Sequence, residues 1–346
     1  MNLPPSSPAS SENASDPAAQ LPELYERIQA FPAQFKQAMS QVIVGQEQVL
    51  DLLVTALFSN GHVLLTGVPG LAKTLLIRSL AQLFHLDFNR IQCTPDLMPS
   101  DISGVELLEE APEGGRRFRF VPGPVFTNLL LADEINRTSP RTQAALLQAM
   151  QERQVTAAGK TYVLQPPFLV FATQNPIDSE GTYPLPEAQL DRFLFNISVG
   201  YPSLEEEVRI AESSEAPEAH TLEPLFEPNL LQDCQRLAAQ VPVPEHLVQW
   251  TVRLVRETRP QESQLPEVRE FVEWGAGVRA SQSLIRAARA HALLNGAGAV
   301  RLQDLKAVAP SILRHRIILN FSGEAERWDA DRLIAHLLAS FSEPRG

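Results

Sequence analysis

Apolar residues in this chain form short, almost unbroken runs that alternate with stretches of helical periodicity. Stretches such as 74–84 and 139–151 repeat an apolar residue every three or four positions, which is typical of amphipathic helices. Strands that are apolar on both sides favour a parallel sheet with helices on both faces. The pattern therefore predicts an α/β fold around a five-stranded parallel sheet. Its predicted strands are the runs at 62–66, 129–132 and 168–173 and the fainter runs at 88–93 and 193–199.

Two segments depart from this alternation and have the composition of β-hairpins. Residues 104–120 contain a Glu-Gly-Gly turn, and residues 153–165 contain an Ala-Gly-Lys turn. Glycine-containing turns flanked by aromatic and β-branched residues favour hairpin loops. We expect two hairpins inserted in the α/β domain.

Strand patterns stop after Pro202, and helical periodicity with proline punctuation takes over, most clearly at 246–257, 279–294 and 302–314. Two amphipathic segments precede the first strand, at 21–39 and around 49–57, and the segment before them is rich in serine and proline. The domain boundaries that we expect are a disordered tail at 1–20, an α/β domain at 21–202 and an all-α domain at 203–346.

Composition narrows the functional classes. The 346 residues are 44% hydrophobic, and this length favours about two domains with separate cores. The 41 acidic against 29 basic side chains give a net charge of −12, which repels a phosphate backbone unless a local basic patch overrides it. Nucleic acid is therefore not the default partner.

The two cysteines, Cys93 and Cys234, lie far apart in sequence and have no histidines at zinc-ligand spacing. They indicate neither a disulfide framework nor a zinc site, so we expect a reducing cytoplasmic location. The first 20 residues lack the basic start and apolar stretch of a signal peptide, and no uninterrupted run reaches the ~18 apolar residues of a membrane span.

A phosphate-binding loop is the sharpest motif in the chain. It lies between an apolar strand and an amphipathic helix, where small residues allow backbone N–H groups to surround phosphates at a helix N-terminus. Lys73 would neutralise the β- and γ-phosphate oxygens, and the Thr74 hydroxyl would ligate Mg²⁺. Alanine replaces the usual glycine before the lysine, which removes freedom at positive φ. The loop residues are Gly67, Val68, Pro69, Gly70, Leu71, Ala72, Lys73 and Thr74.

Two carboxylates follow the apolar strand at 129–132, roughly 60 residues beyond the loop. At that strand end, Asp133 would hold Mg²⁺ through its water shell, and Glu134 would accept a proton from the water that attacks the γ-phosphate. Helix N-capping is the structural alternative for such a pair.

Two further polar residues stand beside predicted strands. Asn175 follows the strand at 168–173, where its amide would contact the attacking water and the γ-phosphate, or would simply form a strand-end turn. Arg192 comes just before the last strand. If the protein forms a ring, Arg192 would reach the neighbour's nucleotide as an arginine finger, and otherwise it would be a paired surface arginine.

These motifs, in identity and order, resemble those of MoxR-type AAA+ ATPases. The resemblance runs from about residue 42 to about residue 317. It rests on the phosphate loop with its alanine, on the Thr-Pro-Asp-Leu-Met-Pro-Ser-Asp-Ile-Ser-Gly segment at 94–104, and on the segments at 131–137, 173–176 and 190–193.

The resemblance implies an AAA+ P-loop core with hairpin inserts that face a pore and an all-α lid domain. It also implies ATP with Mg²⁺ at the junction between subunits of a ring, which we expect to be a hexamer. By the same resemblance, Val44 and Gly45 would line the adenine pocket, Asn175 would be sensor 1 and Arg192 the trans-acting finger. Arg279 would be sensor 2 and would project from the lid onto phosphate. The family usually has serine and proline at the positions of Gly277 and Val278.

The function implied is Mg²⁺-dependent ATP hydrolysis coupled to chaperone-like remodelling, maturation or activation of partner proteins, often beside a partner with a von Willebrand factor A domain. One alternative is an ATP-gated assembly scaffold that resembles a regulatory subunit of a metal chelatase. The other is a nucleic-acid motor, for which Arg116, Arg117 and Arg119 are the only dense basic cluster. Nearby glutamates favour a salt-bridged hairpin flank instead.

Overall fold

The computed structural model describes residues 17–110, 115–157, 159–177, 181–212 and 222–341. Parts of both predicted hairpin turns, and the expected tail up to residue 16, lie outside these residues. A helix begins at Pro17, within the segment that we expected to be a disordered tail.

All five predicted strands form one parallel sheet in the order β2-β5-β8-β1-β9. Alternate residues of the strands face opposite sides, so Leu129 and Leu131 join one hydrophobic cluster whereas Leu130 and Ala132 join the other. Both faces are thus buried, which explains the unbroken apolar runs. The strands are β1 (Val63–Thr66), β2 (Phe88–Gln92), β5 (Leu129–Asp133), β8 (Leu169–Gln174) and β9 (Phe195–Ser198).

Helices connect these strands and cover the sheet. A 3₁₀ helix at Ile135–Arg137 follows β5 directly. The α-helices of this part of the chain are α1 (Pro17–Met39), α2 (Glu47–Phe58), α3 (Lys73–Leu83), α4 (Pro99–Ser103), α5 (Pro140–Glu152), α6 (Glu187–Leu190) and α7 (Leu204–Glu212).

Both predicted hairpins are present. The first pairs β3 (Gly104–Glu110) with β4 (Arg116–Pro122), and the second pairs β6 (Gln154–Ala157) with β7 (Lys160–Val163), each antiparallel. They contact each other through the stacked rings of Phe120 and Tyr162, whose centroids are 4.3 Å apart.

The second part of the chain is mainly helical, as predicted. Two short antiparallel strands, β10 (Val272–Trp274) and β11 (Ile318–Leu319), modify the all-α expectation for this lid domain. Strands of two or three residues are too short to produce a period-2 pattern, so the sequence did not reveal them. The lid helices are α8 (Pro228–Gln240), α9 (Glu245–Glu257), α10 (Pro266–Phe271), α11 (Val278–Leu294), α12 (Leu302–Leu313), α13 (Phe321–Ala325) and α14 (Ala330–Ser340).

The lid and the α/β domain do not have separate cores, contrary to expectation. One continuous cluster of buried apolar residues runs from the sheet through α1 and α2 into α8 and α11. At its centre Phe31 of α1 packs edge-on against Phe226, with ring centroids 4.6 Å apart. The Gln235 amide of α8 donates to the Leu57 carbonyl of α2 at 2.8 Å. The two parts are therefore joined by apolar packing.

Within the described residues, no helix combines the length and apolar character that crossing a lipid bilayer requires.

Candidate functional site

The phosphate loop connects the carboxyl end of β1 to the first turn of α3, as its mechanism requires. It opens onto a cavity of about 480 Å³. The cavity brings together nine of the predicted site residues from three segments of the chain. Its lining residues are Pro69, Gly70, Leu71, Ala72, Lys73, Thr74, Leu75, Arg78, Asp133, Glu134, Thr173 and Asn175.

The backbone of the loop is left-handed at two positions. Gly70 has φ +85°, and Ala72, which caps the N-terminus of α3, has φ +53°. Such a φ is free for glycine but costs an L-residue about 1 kcal/mol. Ala72 therefore adopts the conformation that the usual glycine would favour, and the alanine carries some strain.

Lys73 folds back over the loop. Its ammonium donates to the carbonyl oxygens of Gly67 at 2.6 Å and of Val68 at 2.7 Å. Burial lowers the pKa of Lys73, and the charges of Asp133 and Glu134 oppose that shift. The positive charge thus lies at the mouth of the loop, facing two carboxylates.

Asp133 is buried and held by three neighbours. Its Oδ1 accepts from the Thr173 hydroxyl at 2.6 Å. Its Oδ2 accepts from Arg90, at 3.1 Å from Nε and 2.6 Å from Nη2, and from the Thr74 hydroxyl at 3.4 Å. A carboxylate and a hydroxyl side by side are the hard oxygen ligands that suit Mg²⁺, which keeps several waters and binds substrate phosphates as well. The donor set at this position fits Mg²⁺.

Glu134 lies one residue beyond the end of β5 with φ +58°, so its side chain leaves the sheet in a direction different from that of Asp133. Its N–H donates to the Thr173 hydroxyl at 2.8 Å. Its Oε2 accepts from Gln92 and from Arg137, each at 3.1 Å. The carboxylate is part of the cavity wall and is held by a neutral amide and a cation.

Asn175 is 5% exposed and follows β8, beside the end of β5 in the sheet. Its Oδ1 accepts from the Ile177 N–H at 3.2 Å, which forms the strand-end turn that we considered. The side chain also lines the cavity together with Glu134, so the turn and a role at the cavity are compatible.

Val44, Gly45 and Val68 are not among the residues that line this cavity. Val68 contributes its carbonyl to Lys73. A Cβ built on Gly45, whose φ is +70°, would collide with the carboxylate of Glu206 from α7. The surface predicted as the adenine pocket is therefore closely covered by α7.

Arg192 and Arg279 lie together, but far from the phosphate loop of their own chain. Arg192 precedes β9, and the Leu194 N–H bonds to the His62 carbonyl at the amino end of β1. The loop leaves the carboxyl end of β1, so the strand, about 13 Å long, separates the two sites. Arg279, which we expected to project from the lid onto phosphate, lies away from the phosphate loop of its own chain. The reason is that α11 packs at the amino edge of the sheet.

We call the concave surface around these residues the arginine pocket. It has a volume of about 320 Å³ and is lined by the side chains of five arginines with one carboxylate, Asp191. Asp191 bridges two of the arginines: its Oδ2 accepts from Arg279 at 3.1 Å and its Oδ1 from Arg316 at 2.7 Å. Arg192 donates to the Leu147 carbonyl at 3.1 Å. The arginines of this pocket are Arg153, Arg192, Arg279, Arg286 and Arg316.

Sequence reasoning missed Arg90 and Arg316. Arg90 lies on β2, which pairs with β5 so that Gln92 is opposite Asp133, and both polar side chains of β2 reach the carboxylates from there. An arginine and a glutamine two positions apart on a faint strand were the available signal. Arg316 follows α12 and is only 8% exposed, with Asp191 as its partner.

Comparisons with known proteins agree with this geometry. The sequence profile of the ATPase family associated with various cellular activities (AAA) matches residues 62–195, and that of the AAA lid domain matches residues 266–337. Chaperone MoxR1 of Mycobacterium tuberculosis is 44% identical over 308 residues, which cover 89% of this chain and 81% of that protein.

Two further proteins extend the likeness. Protein MoxR of Methylorubrum extorquens is 32% identical over 304 residues, 83% of this chain and 87% of that protein. The crystal structure of a candidate ATPase from Cytophaga hutchinsonii superimposes on this chain with a TM-score of 0.83 at 38% sequence identity. The matched region covers 94% of this chain and 99% of the Cytophaga chain.

Proposed function

The chain belongs to the MoxR-type AAA+ ATPases, and from this premise we propose that it is a ring-forming, Mg²⁺-dependent ATP hydrolase that remodels or activates partner proteins. The observation that carries the proposal is the position of the two candidate sites. The phosphate loop with its carboxylates lies at one edge of the sheet, and the arginine pocket lies at the other.

At the carboxyl edge, the loop amides and Lys73 hold the phosphates of ATP. Glu134 accepts the proton of the attacking water, and the Asn175 amide orients that water toward the γ-phosphate. The products are ADP and inorganic phosphate. Thr74 and Asp133 would hold Mg²⁺, which when bound neutralises the charge that develops on the phosphate oxygens.

At the amino edge, Arg192 and Arg279 act on the ATP of a neighbouring copy. Because β1 separates them from their own phosphate loop, the only nucleotide that they can reach belongs to another subunit. A closed ring, which we propose to be a hexamer, lets every subunit offer its arginine pocket to the next one. An arginine supplied in this way raises hydrolysis by about 10³ to 10⁵ in other nucleotide hydrolases.

Chaperone-like remodelling is supported by the similarity to Chaperone MoxR1 and by the first hairpin. That hairpin exposes Leu107 and Phe118, the latter to 70%. Exposed apolar side chains of this kind bind partner proteins. We propose a cytoplasmic location and a partner with a von Willebrand factor A domain.

The nucleic-acid motor gains no support from the hairpin. Arg117 pairs with Glu109 at 2.7 Å, and Arg119 approaches the same carboxylate at 3.5 Å. Pairing with a carboxylate reduces the attraction of these arginines for phosphate.

One observation favours the ATP-gated scaffold as a second candidate. Arg137 and Gln92 both bond to the carboxylate of Glu134, and that carboxylate must turn toward the water before it accepts a proton. A chain that kept these bonds with ATP bound would bind nucleotide and hydrolyse it poorly.

The test is to mix two inactive chains. Arg192→Ala keeps its own phosphate loop and carboxylates, whereas Glu134→Gln keeps its arginine pocket. A mixed ring contains interfaces that pair an intact Glu134 with a neighbour's intact Arg192, so we expect the mixture to regain ATPase activity that neither chain has alone. Arg253→Ala, which removes an exposed lid arginine, is the matched control and should leave activity unchanged.

Recovery of ATPase activity also distinguishes the ATP hydrolase from the ATP-gated scaffold. A hydrolase shows turnover that rises more steeply than linearly with protein concentration, whereas a scaffold binds ATP with almost no turnover. If the two chains co-assemble and the mixture stays inactive, Arg192 does not act across the interface and the proposal is wrong.

A further inference from the structure

A second concave surface adjoins the arginine pocket, and we call it the lid groove. It lies between α2, α8, α9 and α11 and has a volume of about 850 Å³. Apolar side chains form much of its wall, and three valines on it are partly or largely exposed: Val248, Val252 and Val278. The groove and the arginine pocket have Asn60, Arg153, Gln282 and Arg286 in common, so the two surfaces are continuous.

The charged residues in the lid groove are all arginines, and no Asp or Glu of the described chain lines it. Arg286 has no hydrogen bond or ion pair within the described residues, and burial together with nearby Arg316 and Arg153 lowers its pKa. Arg289 bonds to the Ala239 carbonyl at 2.9 Å, but its buried Nε has no partner among the described atoms. A guanidinium in this position is stabilised by an acidic partner.

Helix α7 has a largely exposed surface of complementary character. None of the side chains of α7 is buried. Leu204, Val208 and Ala211 occupy one stripe of the helix at i, i+4 and i+7 spacing, and Leu204 is 73% exposed. Glutamates flank the stripe on both sides, at positions 205, 207 and 212.

We propose that the lid groove of one copy receives α7 of the neighbouring copy in the ring. The apolar stripe would fill the valine-lined wall, and the flanking glutamates would pair with the groove arginines. This inference rests on the proposed function, because it uses the same interface that brings Arg192 to the neighbour's nucleotide.

The position of α7 supports this arrangement. It follows β9 at the carboxyl edge of the sheet, where the Val199 carbonyl lies against Gly67 of the phosphate loop and the Glu206 carboxylate covers Gly45. An interface that places one copy's phosphate loop at the next copy's arginine pocket therefore places α7 beside the adjoining groove. The groove of the same chain is at the opposite edge, near Asn60, where its own α7 does not reach.

Cross-linking between different chains tests the proposal. One chain carries Val208→Cys and a second, differently tagged chain carries Val252→Cys, both in the Glu134→Gln background with ATP and a short bis-maleimide. The native cysteines are buried and should not react. We expect a cross-linked pair that contains both tags. Val163→Cys, on the second hairpin and 72% exposed, is the matched control for Val208→Cys and should give little product.

A second measurement uses the association itself. Leu204→Asp with Val208→Asp should raise the protein concentration needed for assembly at least tenfold by sedimentation velocity, whereas Val163→Asp should not. Because no side chain of α7 is buried, these variants should fold.

Three results would overturn the proposal. In the first, the cross-link is no stronger than the control although the mixture of Arg192→Ala and Glu134→Gln chains regains activity. The ring is then supported, and α7 docks elsewhere. If a single chain with both cysteines cross-links only to itself, α7 occupies its own groove. Failure of both the cross-link and the mixing experiment would overturn the ring and the docking together.

Discussion

The charged side chains at the two edges of the central sheet are paired to different extents. At the carboxyl edge, three cations near the carboxylates have partners: Lys73 bonds to loop carbonyls, Arg90 to Asp133 and Arg137 to Glu134. At the amino edge, five arginines line a pocket with one carboxylate, and Arg286 has no partner within the described residues. One edge therefore presents the phosphate loop with its two carboxylates, and the other presents an excess of positive charge.

Under the proposed function, this difference means that neither edge alone is a complete catalytic site. A phosphate loop without an arginine from a neighbouring chain would bind ATP but stabilise the transition state poorly, whereas an arginine pocket without a phosphate loop has no nucleotide to act on. In the ring that we propose, the complete site combines the carboxyl edge of one chain with the amino edge of the next.

The largest expected effects come from the carboxyl edge. Glu134→Gln removes a proton acceptor that acts only along the reaction path, so hydrolysis should fall about 10²- to 10⁴-fold while ATP affinity is retained. Lys73→Ala removes a charge that contacts the ground state, so ATP binding itself should be lost. Titration of ATP and steady-state turnover of both variants check this division of roles. Near-normal hydrolysis by Glu134→Gln would show that another group is the base.

At the amino edge, we expect a pH-dependent loss of stability. His62 accepts from the Val170 N–H at 2.9 Å and contacts the Met150 carbonyl at 3.1 Å. Burial, helped by nearby Arg153 and Arg286, lowers the pKa of His62 to about 4. The unfolded chain, with a histidine pKa of about 6.5, binds the proton first, so the free energy of unfolding should fall between pH 6.5 and 4 by on the order of 2–3 kcal/mol.

Denaturant titrations across that pH range measure the effect. His62→Gln cannot take up the proton and should flatten the dependence. The buried His315, whose pKa is also lowered by burial, will leave a residual slope of the same sign. His246→Gln, at an exposed lid position, is the control. An unchanged slope in His62→Gln would contradict the electrostatic description of this edge.

Arg90 holds the Asp133 carboxylate at the carboxyl edge. It fixes the orientation of Asp133 without being one of the proposed Mg²⁺ ligands, so Arg90→Gln should weaken the apparent Mg²⁺ affinity for ATP hydrolysis about tenfold. Saturating Mg²⁺ should restore most of the turnover. Arg117→Gln removes another paired arginine, on the first hairpin, and should leave the Mg²⁺ dependence unchanged. A loss of turnover that Mg²⁺ does not restore would show that Arg90 contacts substrate instead.

The smallest expected effect is that of Ala72→Gly. Glycine removes the strain of φ +53°, which is about 1 kcal/mol, but it also increases the freedom of the unfolded loop. The two effects oppose each other, so ATP affinity should stay within about tenfold, or about 1.4 kcal/mol. A glycine form that bound far more tightly would mean that the native alanine weakens the site.

The sequence predicted the carboxyl edge well because most of that site is local. An unbroken run of apolar residues predicts a buried strand. The phosphate loop and Asp133 lie where two such strands end. Arg90 reaches Asp133 only because β2 pairs with β5. Strand order is a long-range property that hydrophobic periodicity does not predict.

The amino edge was predicted less well for the same reason. Asp191 and Arg279 are separated by 88 positions in sequence, and nothing in their spacing indicates that α11 brings them to 3.1 Å. The single hydrophobic cluster was missed as well, because an amphipathic helix shows that it has an apolar face but does not show which surface covers that face.

That cluster has a consequence for the order in which the chain folds. The first helix, α1, packs against α11, which is separated from it by more than 200 residues of chain. At a synthesis rate of about 5–20 residues per second, α1 leaves the ribosome roughly 10 to 50 s before its packing partner exists. During that interval Phe31 can already pack against Phe58 and Phe84, but the part of α1 that α11 covers in the folded protein stays uncovered until the lid is made.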